Sequence, residues 1–247
     1  MQSGESLRDE LLAEVETMAP ILTQHAPQSE KLGRLDEPTV ETLRKTRLLR
    51  FVCPREHEAD PITEMEVLEA VTRIDGSAGW TLGILAITSA FAGAFLPVET
   101  AQRIFAKGVP PMAGMIQAKG KAEPVTGGYR VTGRWAFGSG IYHADWVIAG
   151  AFLPDQPLPA GIRMVLLPRR QVVIHDNWQV AGLKASGSCD YSIENVSGLH
   201  SASAFRSAMW MTHCSRTSLP RGPLGSGRNG WRNNPANGSA TPCVATA

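Results

Sequence analysis

The sequence predicts an α+β protein, a helical N-terminal region followed by a small antiparallel β-barrel or sandwich. Three observations carry that prediction. Apolar residues recur at three- and four-residue steps through roughly the first hundred positions. Helix-start signals, an acidic cap followed by proline, occur at Asp36–Pro38 and Asp60–Pro61. Past Pro110 the apolar period changes from 3.6 to 2.

The first helix is marked by Leu7, Leu11, Val15, Met18 and Leu22 and is expected to end before Pro27. The second starts at the Asp36 cap and turns Val40, Leu43 and Leu48 inward. The third starts at Asp60 and turns Ile62, Met65, Leu68 and Val71 inward. From Ser77 to Leu96 the pattern is apolar all round, as in a helix buried on every side. Its length suits a membrane span, but Gly79, Thr81, Gly83, Thr88, Ser89 and Gly93 dilute it and favour a soluble core. Pro97 opens one more short helix through Phe105.

In the second half, Tyr129, Val131, Gly133, Trp135 and Phe137 alternate with more polar neighbours after the turn Gly127–Gly128. Trp146–Leu153 is apolar on both faces and suits a central strand, and Ile162–Leu167, Val172–Ile174 and Cys189–Val196 add further strands. Several short strands in one such stretch imply the barrel or sandwich. The expected division is a helical domain over 1–108, a β-domain over 109–197, and a remainder over 198–247.

That remainder contains five arginines and no Lys, Asp or Glu, in a background of Ser, Gly, Pro and Asn. It reads either as a natural flexible tail or as a terminus not shaped by selection for folding, such as a shifted reading frame. The isolated Trp210 and Trp231 favour the second reading. Over the whole chain, 24 Lys+Arg oppose 23 Asp+Glu for a formal charge of +1, which argues against a nucleic-acid partner. Cys53, Cys189, Cys214 and Cys243 are too scattered for a zinc site or a disulfide framework. The N-terminus carries Glu5, Asp9 and Glu10 and reads as neither signal nor transit peptide, so the expectation is a cytoplasmic protein without a membrane partner.

No Walker loop, GxGxxG, GxSxG or HExxH is present, and the six histidines show no metal-ligand spacing. Two segments resist explanation by packing alone. In Arg134–Trp146 a strand runs into Phe137-Gly138-Ser139-Gly140, where glycines flanking a serine let backbone N–H groups and a hydroxyl approach a flat ligand beside an aromatic ring. An ordinary glycine-rich hairpin explains the same letters equally well. The second, Trp178–Ser188, is a long loop of small residues.

Together YRVTGRWAFGSGIYHADWVIAGA, NWQVAGLKASGSCDYSIENV and the helical Asp75-Gly76-Ser77-Ala78-Gly79-Trp80 resemble the acyl-CoA dehydrogenase superfamily, in its flavin-dependent hydroxylase branch. That branch comprises the oxygenase components of two-component aromatic monooxygenases. The resemblance implies reduced flavin, FMN or FAD, delivered by a flavin reductase, and hydroxylation of a small aromatic substrate by O2 through a flavin C4a-hydroperoxide. It places Phe137, Gly138, Ser139 and Gly140 against the isoalloxazine ring, with the Ser139 hydroxyl near flavin N5 as the catalytic group. It also sets the Met112-Ala113-Gly114 backbone along the pyrimidine side. Relatives continue into a C-terminal helical bundle that completes the flavin site and builds a homo-tetramer. Here the matching sequence stops near Val196, so the bundle is expected to be missing, and neither His200 nor His213 matches the histidine it supplies. The alternatives are an acyl-CoA dehydrogenase proper, against which the apolar Met112–Lys121 stretch speaks, and a non-catalytic remnant of the family.

Overall fold

A computed structural model describes residues 6–52, 59–158, 160–199 and 204–206. Among these residues five α-helices precede the sheet: α1 (Leu7–Leu32), α2 (Glu37–Lys45), α3 (Pro61–Ile74), α4 (Gly76–Phe95) and α5 (Val98–Ile104). Ser6 caps α1, and the cap carboxylates of Asp36, Asp60 and Asp75 accept backbone N–H groups at the starts of α2, α3 and α4.

The first helix runs past its expected end, to Leu32. Pro20 and Pro27 lie inside it, but both are exposed, so water satisfies the carbonyls they free while Leu11, Val15, Met18, Leu22 and Ser29 stay buried. Gly33, at φ +65° with its N–H on the Glu30 carbonyl, is what stops the helix. The face of α3 also differs from expectation. Thr63, Val67 and Val71 are buried against α1 and α4, whereas Ile62 and Met65 are 69% and 72% exposed. Helix α4 packs against α3 and β1, yet it is not buried all round: Trp80 and Ile87 face outward.

Seven strands follow among the described residues, β1 (Met112–Val125), β2 (Gly128–Trp135), β3 (Trp146–Phe152), β4 (Ile162–Pro168), β5 (Val173–His175), β6 (Asp190–Leu199) and β7 (Ala204–Arg206). They form one sheet in the order β5-β6-β2-β1-β3-β4-β7. All neighbours pair antiparallel except β1 and β3, which are parallel; the purely antiparallel expectation is corrected at that pair. A parallel pair needs a crossover, and the segment after β2 supplies it. Alternation did not reveal β1 as a strand, because register shifts between Met115 and Ala118 and between Ala118 and Gly120 break its period. Strand β6 and the short β7 extend into the stretch after 197, so that stretch is not wholly without secondary structure. Cys53, His57, His200, His213 and residues 207–247 lie outside the described residues.

The larger core cluster joins α1–α4 to the sheet, with Trp135, Tyr191, Phe51 and Leu82 among its fully buried side chains. Trp135 stacks on Tyr191 with ring centroids 5.4 Å apart. A smaller cluster, including Ala92, Leu96, Met112, Ile148 and Leu166, closes the opposite face of β1, β3 and β4.

Candidate functional site

At the end of β2 the chain leaves the sheet at Phe137, a bulky side chain at φ > 0 (+63°). Such a conformation is rare for a phenylalanine and persists only where its surroundings impose it. The ring ends 61% exposed and meets Trp178 edge-on at 6.2 Å. Trp178 is itself tied by its indole N–H to the Leu183 carbonyl, and Leu183 is a second left-handed residue. The long small-residue loop therefore folds beside the glycine-serine segment and gives it an aromatic wall.

Glycines 138 and 140 do something other than the sequence suggested. The Gly138 N–H donates to the Cys189 carbonyl, that of Gly140 to the Ser186 carbonyl, and that of Ser139 to the Phe137 carbonyl, all within 3.0 Å. None is left for a ligand. Gly140 sits at φ +69°, where a Cβ would also press on Thr81 and Leu85 of α4 at 3.1–3.2 Å. These glycines let the segment pack tightly on β6 and α4. What they leave facing outward is the Phe137 ring, while the Ser139 hydroxyl stays buried beside it.

That hydroxyl is the end of a chain. Ser139 is 5% exposed, and its Oγ accepts the Trp80 indole N–H at 3.0 Å and lies 2.7 Å from Ser188 Oγ. Ser188 Oγ is in turn 2.7 Å from Ser186 Oγ. Trp80, Ser186 and Ser188 are site residues that sequence reasoning did not single out. They lie in segments the sequence did mark, Asp75–Trp80 and Trp178–Ser188, but nothing in the letters paired them with Ser139, because the contacts span 59 and 49 positions.

The Met112-Ala113-Gly114 limb is built differently. Met112 and Ala113 are fully buried, and the Met112 N–H donates to Ser89 Oγ at 3.1 Å. Next along β1, the Met115 N–H donates to Tyr191 Oη, which donates to the Ile148 carbonyl. This limb contributes shape more than free donors. Among the described residues no cluster of three His, Cys, Asp or Glu side chains is placed to hold a metal ion.

The chain is 30% identical over 198 residues to a pigment production hydroxylase of Rhodococcus erythropolis, covering 76% of this chain and 50% of that one. It is 28% identical over 193 residues to the flavin-dependent monooxygenase oxygenase subunit HsaA of Rhodococcus jostii, covering 74% and 48%. It is a homologue of flavin-dependent monooxygenase oxygenase components. The XiaF structure from a Streptomyces species, in complex with FADH2 and glycerol, superposes with a TM-score of 0.78 at 26% identity, over 86% of this chain and 55% of that one. The fold is the acyl-CoA dehydrogenase-like one of these monooxygenases. The chain spans about half the length of the curated relatives it matches. No family model matches the sequence.

Behind the glycine-serine segment lies His143. Its Nε2 and Thr81 Oγ1 are sealed from solvent and have no partner among the described residues, and both residues line a cavity of about 10 Å³, at most the room of one water. Burial, followed by the guanidinium groups of Arg34, Arg44 and Arg169, pushes the His143 imidazole down to about 4. Because the native group resists protonation, the unfolded chain takes up the proton first as pH falls below the ordinary value of about 6.5. Stability is therefore lost from there down to the native pKa. The expected loss attributable to His143 is about 2 kcal/mol between pH 7 and pH 5. His143→Gln should remove that component from the pH dependence of urea unfolding. An unchanged dependence would show that the ring is accessible to protons in the native state.

Proposed function

We propose that this chain forms the flavin-facing part of the oxygenase component of a two-component monooxygenase that hydroxylates a small aromatic substrate with O2. Reduced flavin, FMN or FAD, comes from a separate flavin reductase, and homo-oligomerisation belongs to the same reading. The observation that carries it is the buried Ser139 hydroxyl, held by the Trp80 indole beside the outward-facing, left-handed Phe137. A flat heteroaromatic ring needs a face to lie on and one directional polar contact at its edge, and these residues provide both. When bound, reduced flavin supplies the electrons that activate O2.

The chain's own groups do the rest. Phe137 covers a ring face, with Trp178 steadying it. Ser139 holds a proton at the ring edge, at the position of N5. Gly138 and Gly140 draw this segment against β6 and α4, so the hydroxyl is fixed rather than swept by solvent. Met112, Ala113 and Gly114 shape the pyrimidine side without donating from Met112.

Titrating the full chain with FMN and with FAD, read as quenching of flavin fluorescence, tests this. Binding of at least one is expected, and Ser139→Ala should weaken it roughly tenfold, the worth of one hydrogen bond at a desolvated site. Absence of binding to either flavin would sink the proposal.

A further inference from the structure

We infer that a single buried water is part of the native fold, held between His143 Nε2 and Thr81 Oγ1 and tying α4 to the turn that follows Ser139. The inference does not depend on what binds beside Phe137. Both atoms are sealed from solvent without a partner among the described residues, and both side chains line the same cavity of about 10 Å³. That is the room one water needs, and a buried water needs at least two polar partners.

The helix hydroxyls show that Thr81 is exceptional. At Thr17, Thr42, Thr72 and Ser89 the hydroxyl donates to the carbonyl four residues earlier. Thr81 is fully buried on α4 and makes no such bond. Its methyl faces Gly140, where a Cβ would stand 3.1 Å from Cγ2. A hydroxyl buried without any partner costs more than an ordinary hydrogen bond contributes. His143 reaches the same cavity from the turn that its N–H closes on the Gly140 carbonyl at 2.9 Å.

The lining selects the occupant. Leu35, Val40, Leu43, Leu49 and Leu85 make up most of the wall, and an ion among them would lose its hydration. Arg44 lines the cavity too, but its guanidinium donates to the His143 carbonyl and the Asp145 carboxylate. Burial and the neighbouring guanidinium groups keep the His143 ring uncharged at neutral pH. The Nε2 of a neutral imidazole donates in one tautomer and accepts in the other. Water answers either one, and the Thr81 hydroxyl meets its remaining side in either sense.

The sign of one substitution tests this. With the water in place, Thr81→Val sets an alkyl group against it and breaks the bridge to His143. The unfolding constant of the full chain in urea is then expected to rise roughly tenfold. Without the water, valine sheds an unmet hydroxyl at nearly the same shape, and the constant stays or falls. Thr39 supplies the comparison, since its Oγ1 is also buried without a partner but the residue does not line this cavity. Thr39→Val should leave the constant unchanged or lower it. A Thr81→Val constant no higher than wild type, or a rise no larger than that of Thr39→Val, overturns the inference. A crystal structure of the unaltered full chain, which needs no variant to fold, should show one water peak within about 3.2 Å of both atoms. A dry cavity, or a peak that reaches only one of them, overturns it.

Discussion

Gly114→Ala is expected to destabilise the protein by roughly 4 kcal/mol or more, enough to leave little folded chain at ambient temperature. Two effects combine. Gly114 lies at φ +127°, a conformation L side chains rarely adopt. A Cβ built there would also stand 2.0 Å from the Ile148 carbonyl oxygen, which is backbone and cannot swing aside. Ile148 is fully buried in β3, and its carbonyl is already pinned by the Tyr191 hydroxyl. The parallel β1–β3 pair must therefore open before the methyl fits. Urea unfolding monitored by circular dichroism measures the effect. A loss below about 1 kcal/mol would mean that β1 does not approach β3 this closely.

Trp135→Ala should cost about 3–5 kcal/mol, the range for removing a fully buried large aromatic. The ring is 0% exposed, stacks on Tyr191 and fills the space above Gly120 and Gly133. Its indole N–H also donates to the carbonyls of Gln117 and Gly150, so alanine strands two acceptors where β1 is irregular. Trp135→Phe separates the contributions. It keeps most of the packing and loses the hydrogen bonds, and about 1–3 kcal/mol is expected. If both variants lose the same amount, the polar contacts rather than the ring volume hold β1 in its shifted register. The comparison also bears on the site, because Trp135 precedes Phe137 by two residues and anchors the end of the strand that delivers it.

Much of the secondary structure was readable because its causes are local. Asp36 and Asp60 cap helices whose first-turn N–H groups lie two or three residues away, and strands β3 and β4 declare themselves by runs that are apolar on both faces. Phe137 and Ser139 stood out for the same reason, an aromatic and a hydroxyl set among glycines at a strand end. Where a local rule met a tertiary one, it failed. Pro27 did not stop α1, because its face is solvated, and the apolar letters of α3 did not identify its buried face, because α1 and α4 cover Thr63 and Val67 instead of Ile62 and Met65.

The sequence by itself determined the order of the helices and of strands β2 to β6, the Asp36 and Asp60 caps, and the segment on which the candidate site stands. Only the tertiary structure decided that β1 and β3 run parallel, that the Gly138 and Gly140 N–H groups are consumed internally, and that Ser139 is the end of a hydroxyl chain. The physical reason is distance along the chain. Periodicity and capping are set by neighbours within a turn or two, whereas Trp80, Ser139 and Ser188 are brought together by packing of α4, the end of β2 and the loop before β6, and hydrogen bonds between them exist only once those elements have met.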